Sequence, residues 1–431
     1  MRQSVIVAPL LETDKLRHFP QNKEDNRKDM FKLLKYRNII LSVLAVCCLI
    51  ACAHTEPVPD RAMGFEEGMK VLASNLGEQL EKSSVGNLIN KVVINPATQR
   101  KQLKKIVIDP FIDMESGYPV KANARIAEMM AEEIKTRFEI TGQMEPDNLE
   151  VSEYVLNGMV TLEQKRVGKE KIYKVLSTVL EKSSGKVLAS ASVRVNNFDT
   201  TPKDIYKDSP VFMKGKSYEQ LSSSVKKQPN ETVEKEYHDT LTVKSMTVKG
   251  DTLYEEKQYK KSMAYYSQAG KVQSGLQLEV LNGQFTNLVK QNQWEDAENV
   301  YAKLIRTSIA ETSEISSKIT FAPNSTSPLE GKARLYRIYT KEIAKLVTEL
   351  PACHIKIIGH SSRTGAKGYN DHLSLQRSLW IKKQMASYVP QINNRSEAIG
   401  RGFSENIVGT GADDITDEID RRVEFKFVNC R

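Results

Sequence analysis

One stretch of this chain gathers side chains suited to gripping an anion rather than breaking a bond. From Ile355 to Gly365 it reads Ile-Lys-Ile-Ile-Gly-His-Ser-Ser-Arg-Thr-Gly. Asn370, Leu373, Ser374 and Arg377 follow, and Arg421-Arg422-Val423-Glu424-Phe425 comes near the end. A guanidinium holds a carboxylate through two parallel hydrogen bonds, which an ammonium does not reproduce. A helix starting near Tyr369 to Asp371 adds backbone N–H groups aimed at anions. No chemistry beyond binding is written here. Gly359-His-Ser-Ser-Arg is not a nucleophile elbow, no glycine-rich phosphate loop precedes a helix, and no paired carboxylates stand out. His354, His360 and His372 lack a metal-ligand spacing, and there is no Cys-x-x-Cys. The chain reads as a non-enzyme with no metal and no cofactor. Singly, the residues have plainer readings. Arg377 is an exposed helix arginine, Asn370 a helix cap, Leu373 and Ile357 core, and Gly359 and Gly365 backbone geometry. Arg421 and Arg422 pair with acidic residues such as Asp420.

Together these motifs resemble the OmpA-like peptidoglycan-binding domain. That family has a strand ending in Gly-His-Thr-Asp, then Gly, then Asn-x-x-Leu-Ser-x-x-Arg on a helix, and Arg-Arg-Val-Glu on the last strand. Ile319-Thr-Phe-Ala-Pro-Asn-Ser325 resembles its first strand, so the likeness runs over residues 319–431, about a quarter of the chain. It implies a βαβαββ fold with helices on a mixed sheet. It also implies a site for the diaminopimelate of peptidoglycan stems, with Arg377 as the carboxylate grip and Asn370, Ser362, Leu373 and Arg422 around it. The chain departs from the family at Ser362, where the family has Asp. A hydroxyl accepts a hydrogen bond but carries no charge, which loses roughly 1–2 kcal/mol, about tenfold in affinity. Asp371 substitutes only if the loop folds toward the site.

These residues must be positioned by a large chain. At 431 residues it is too long for one ordinary domain. Charged residues make up 27% and hydrophobic ones 40%, as in globular modules. The net charge is +9, and residues 1–51 hold nine Lys/Arg against five Asp/Glu, so the rest carries about +5. That mild excess suits an anionic polymer or membrane surface, while no basic tract reads as nucleic-acid binding.

Residues 1–51 read as a secretory signal, with Met30 the alternative start. Lys32, Lys35 and Arg37 precede an apolar run from Ile39 to Ala51, too short for the roughly 20 residues a membrane span needs. Leu49-Ile-Ala-Cys52 resembles a bacterial lipobox. The resemblance implies cleavage before Cys52 and acylation there, and Ala53 in place of Asp implies the outer membrane. Several acyl chains anchor far better than one. Residues 52–63 are a polar tether.

Residues 64–213 read as an α+β domain. Phe65, Met69, Leu72, Leu76 and Leu80 draw one helical stripe, weakened by Gly64, Gly68 and Gly77. Lys105–Ile112 is a strand and Pro119–Phe138 a helix. Tyr154–Gln164, Ile172–Glu181 and Val187–Phe198 form an antiparallel meander. This order, with Ile106-Val-Ile-Asp-Pro-Phe111 and Tyr154-Val-Leu-Asn-Gly158, resembles the α/β domain of curli-secretion-type lipoproteins and lipoprotein activators of penicillin-binding proteins. Residues 214–240, rich in Lys, Ser and Gln, read as a linker. In 241–307 a 35-residue offset relates Gln258-Tyr259 to Gln293-Trp294, Ser262 to Ala297 and Tyr266 to Tyr301. Period and residue types resemble tetratricopeptide repeats, and two such repeats must lean on a neighbour. Residues 308–431 form the last domain. If the strands near Cys353 and Cys430 are antiparallel neighbours, the two thiols meet and oxidise in the periplasm.

The expected architecture is multidomain α+β, with an N-terminal α+β domain, central helical hairpins and a C-terminal OmpA-like domain. The expected protein is an outer-membrane lipoprotein facing the periplasm. It binds peptidoglycan non-covalently and offers its helical repeats to envelope proteins, linking or scaffolding envelope machinery. The alternatives are a regulator of a cell-wall synthase, or an OmpA-like docking scaffold without wall binding.

Overall fold

A computed structural model of the protein describes residues 61–85, 103–165, 171–272, 276–312, 314–315, 317–406 and 420–428. The expected signal segment, the lipidation site Cys52, most of the tether and Cys430 lie outside the described residues. Among the described residues no helix is long and apolar enough to cross a membrane.

The first helix, α1 (Phe65–Val85), starts with Glu66 and Glu67 and ends with Lys82, charges that complement its dipole. Met69, Leu72, Leu76 and Leu80 are buried, as their spacing requires. The glycines that weaken α1 on propensity are contact points. A Cβ on Gly68 would stand 2.7 Å from a Val195 methyl, so the helix lies against the sheet there.

That sheet runs in the order β3-β1-β4-β5-β6. Its strands are β1 (Lys104–Ile108), β3 (Phe138–Gln143), β4 (Tyr154–Lys165), β5 (Lys171–Glu181) and β6 (Val187–Asn196), and the short β2 (Ile112–Asp113) pairs with β4. β1 is parallel to β3 and β4, and β4, β5 and β6 form the expected meander. Two expectations need correction. The helix expected over Pro119–Phe138 is α2 (Asn123–Ile134). Before it, Pro119 and Val120 bridge to Ile112 and Pro202, and Asn123 fastens the loop by accepting the Phe111 N–H at 2.7 Å. Beyond it, Phe138 opens a strand parallel to β1.

The second correction concerns residues 214–240, expected as a linker. α1 and α2 cover one face of the sheet, over Ile106, Ile108, Leu156 and Val179. The other face, with Val107, Val155, Met159 and Leu180, is buried under Leu221, Val225, Val233 and Tyr237. α3 (Pro146–Val151) and α5 (Lys216–Ser224) contribute to this layer, and the small α4 (Asp204–Lys207) precedes α5. The stretch is polar overall, yet its few apolar residues all point inward. Buried Asn157 of β4 donates to Ser224 Oγ at 2.9 Å and to the Tyr237 hydroxyl at 3.1 Å.

Four helices follow: α6 (Lys235–Glu255), α7 (Tyr259–Ala269), α8 (Gln277–Lys290) and α9 (Trp294–Thr312). The 35-residue offset maps onto equivalent places. Tyr259 and Trp294 open α7 and α9, while Ser262 with Ala297 and Tyr266 with Tyr301 are buried. Lys257 and Asn292, at the same offset, both take positive φ (61° and 59°) in the turns before those helices. Tyr266 is wedged where Gly250 of α6 and Gly283 of α8 leave room, since a Cβ on either would fall within 2.6 Å of its ring.

The helices lean on both neighbours. Asp109, buried at the end of β1, accepts from the Tyr237 hydroxyl at 2.9 Å and from Lys244 Nζ at 2.6 Å, both on α6. On the other side Tyr301 of α9 stacks on Tyr339 with ring centres 4.7 Å apart, and Phe285 of α8 lies 5.6 and 6.0 Å from the two rings.

The C-terminal part follows a β-α-β-α-β-β order: β7 (Glu314–Ile315), α10 (Ala333–Glu349), β8 (His354–Gly359), α11 (Lys367–Tyr388), the single turn α12 (Ile392–Arg395), β9 (Ser396–Gly400) and β10 (Val423–Val428). The sheet order is β7-β10-β8-β9, mixed, with β8 and β9 parallel and β10 antiparallel to both β7 and β8. The first strand is Glu314–Ile315 rather than Ile319–Ser325. The later segment makes isolated bridges, with Asn324 at positive φ, while Ile319 and Phe321 are buried in the core.

Candidate ligand site at the end of strand β8

Ile355 and Ile357 of β8 point into the core and Gly359 ends the strand. A Cβ on Gly359 would lie 2.1 Å from the Ser374 carbonyl oxygen, and one on Gly400 of β9 would lie 2.6 Å from that of Asp371. These glycines let the first turns of α11 rest directly on the sheet. Asn370, Ser374 and Arg377 are thereby brought over residues 359–365. Gly365 turns the loop at φ +96°, and Asn370 Nδ2 closes it on the Thr364 carbonyl at 2.9 Å.

Arg377 is fully buried. Its Nε donates to the Ser325 carbonyl at 3.0 Å, Nη1 to that of His360 at 3.0 Å and Nη2 to that of Ala322 at 3.2 Å, with the Phe321 ring 5.2 Å from the guanidinium carbon. The plain reading of an exposed helix arginine is therefore corrected. Arg377 clamps the 322–325 loop to the end of β8.

Arg422 reaches the same end of the strand, since the His360 N–H donates to its carbonyl at 2.9 Å. Its Nε donates to Glu424 Oε1 at 2.7 Å and Nη2 to the Glu405 carbonyl at 3.2 Å, but the buried Nη1 has no partner. The acidic partner of Arg422 is thus Glu424, two residues on and on the same face of the strand, rather than Asp420. Arg421 Nε donates to the Phe321 carbonyl at 3.3 Å, and Asp420 accepts from Asn406. The buried His360 ring lies 3.5 Å from Glu424 Oε2, and neither ring nitrogen nor the buried Ser361 hydroxyl has a hydrogen-bond partner. Burial would raise the Glu424 carboxyl, but His360 and Arg422 outweigh it and hold the group down at about 2.

Ser362 is buried beside this cluster, at 7% exposed, and Leu373 is half-buried on α11. Asp371 pairs with Lys367 at 2.6 Å. Arg363, Lys367 and Tyr369 form an exposed rim whose side chains the motif reading gave no role. Their signal was position alone, between Gly359 and Asn370. Among the described residues no group of His, Cys, Asp and Glu is arranged to hold a metal. The arrangement therefore supplies guanidinium, imidazole and hydroxyl groups around one strand end. Cys353, buried, stands just before β8, and the antiparallel register sets Val428 opposite His354.

No family model matches the chain, and no curated protein matches it. Solved structures resemble it over 26% of its length. The peptidoglycan-associated lipoprotein from Burkholderia pseudomallei is 19% identical over 88% of that chain, with a TM-score of 0.22. The C-terminal domain of Helicobacter pylori MotB is 23% identical over 83% of that chain, also at 0.22. An outer-membrane protein from Borrelia burgdorferi B31 is 24% identical over 86% of that chain, at 0.21.

Proposed function

We propose that this chain is an outer-membrane lipoprotein, acylated at Cys52, that binds peptidoglycan non-covalently through residues 308–431 and scaffolds envelope machinery through its other modules. The observation that supports this reading is the convergence at the end of β8. Motifs 17 to 64 residues apart in sequence, at Arg377 and at Arg422 through Glu424, meet His360 within reach of its backbone or ring. A stem carboxylate set against the unpartnered Nη1 of Arg422 completes that guanidinium, with Ser362, Asn370 and Leu373 beside it and Tyr369 and Arg363 at the rim. In this reading Arg377 shapes the site rather than touching the ligand.

The test is pelleting of the full chain with purified sacculi. Wild type should pellet and Arg422→Ala should stay soluble with an unchanged circular-dichroism spectrum. A wild-type chain that stays soluble ends the wall-binding reading. The full chain is required because the isolated domain would expose Tyr339, which stacks on Tyr301. The engaged carbonyl bonds of Arg377 favour a second reading, an OmpA-like docking scaffold without wall binding, and soluble wild type is its expected outcome.

A further inference from the structure

In the first sheet the chain leaves β1 for β3 on one side and returns across it to β4 on the other. The carboxyl end of β1 is therefore where the strand order reverses, the place where open parallel sheets leave a crevice. A cavity of about 50 Å3 lies there, closed by the loop after β1, by α5 and α6, and by α8. That is room for roughly four water-sized spheres.

The charged groups in its lining are matched, with one exception. Lys244 is paired with Asp109 at 2.6 Å. Asp251 accepts from the Tyr266 and Tyr206 hydroxyls and faces Lys203 at 3.7 Å. Glu279 of α8 accepts the Ser217 hydroxyl on Oε1, while its buried Oε2 has no hydrogen-bond partner. Among the described residues no cation stands within ion-pair distance of it. A buried carboxyl oxygen without a partner is a group that a donor would complete.

We propose that this cavity binds a small primary alkylammonium, its N–H groups on Glu279 Oε2 and its short alkyl part against Leu276, Val248 and Met213. The lining favours a cation because Asp109 neutralises Lys244 and Lys203 matches Asp251, which leaves Glu279 as the unmatched carboxyl. The walls are apolar, and the volume admits a methyl- or ethylammonium but not a quaternary amine with four alkyl arms. The titratable neighbours of Glu279 agree. Burial pushes its carboxyl up to about 7, and Glu311 of α9 adds to this while Lys244 of α6 opposes it. An arriving ammonium must displace that proton.

The experiment uses the full chain and ethylammonium chloride at constant ionic strength, followed by calorimetry and by the shift in unfolding temperature. Binding should saturate at one site per chain. Its apparent affinity should rise about tenfold per pH unit from pH 5 to 7 and level off above. Ethanol and tetramethylammonium should not compete. Glu279→Gln should weaken binding by about tenfold or more. Val248→Leu, which adds bulk to the cavity wall and leaves Glu279 in place, should do the same and serves where Glu279→Gln fails to fold. No saturable binding, binding independent of pH across that window, or undiminished binding by both variants overturns the proposal.

Discussion

The Nη1 group of Arg377 donates to the carbonyl of His360 at 3.0 Å, joining helix α11 to the end of strand β8 from the inside. With the bonds to Ser325 and Ala322 it holds three carbonyls of two loops. Arg377→Ala should therefore unfold the C-terminal part before it reports on any ligand. Its removal strands the buried His360 carbonyl at roughly 1–3 kcal/mol and frees the half-buried Ser325 and Ala322 carbonyls as well. We expect a loss of about 3 kcal/mol or more in urea unfolding, with little rescue by Arg377→Lys, whose single ammonium does not span three acceptors. A variant as stable as wild type would refute the clamp.

Glu424 sets an acid limit. Its carboxyl titrates near 4.5 unfolded and at about 2 folded. The stability this shift supplies is present above pH 4.5 and is lost as pH falls from 4.5 toward 2. It amounts to at most roughly 3–4 kcal/mol, since one pH unit is about 1.4 kcal/mol. Glu424→Gln should flatten that limb of a stability-versus-pH curve, and an unchanged limb would remove Glu424 from the account.

Glu279 works in the opposite direction. Burial raises its carboxyl from 4.5 to about 7, so the folded chain holds a proton that the unfolded chain releases. Its contribution favours folding below pH 4.5 and declines as pH climbs from 4.5 to 7. Glu279→Gln should melt higher than wild type at pH 8 and equal it near pH 4.5. The reverse order at pH 8 would contradict the assigned burial.

Tyr339 joins the helical repeats to the C-terminal part through its 4.7 Å stack on Tyr301. Tyr339→Ala should cost about 3–5 kcal/mol, as large core truncations do. It should also expose a protease site between α9 and α10 while the β1–β6 sheet stays protected. Uniform loss of protection across the chain would mean the stack carries no special coupling.

For the cysteines, non-reducing mass spectrometry of the mature chain should find a peptide pair linking Cys353 to Cys430. The antiparallel β8–β10 ladder brings the flanking strands side by side, and closing so long a loop stabilises by roughly 4 kcal/mol in the chain-entropy view. Two free thiols would exclude the bridge.

Much of this architecture was legible in spacing. The α1 stripe, the β4–β6 meander and the 35-residue offset all land where periodicity puts them, because burial acts directly on those side chains. The missed features depend on partners distant in sequence. Phe138 to Gln143 became a strand because β1 offered it an open edge. Residues 214–240 became a layer because the second face of that sheet needed cover, which four apolar side chains among many polar ones supply. At the site, the motif placed Arg377 and Arg422 together but not their roles. Which guanidinium is engaged by loop carbonyls was decided by the 322–325 loop, whose carbonyls no local pattern announces.

The buried Lys244–Asp109 pair and the Tyr301–Tyr339 stack have a mechanical consequence. With the helical hairpins gripped at both ends, tension applied at β8 travels to β1 through packed side chains rather than along a slack tether. The Val211–Ser317 bridge and the Lys318 Nζ bond to the Tyr206 carbonyl share that load directly between the two parts, so no single contact sets where they yield.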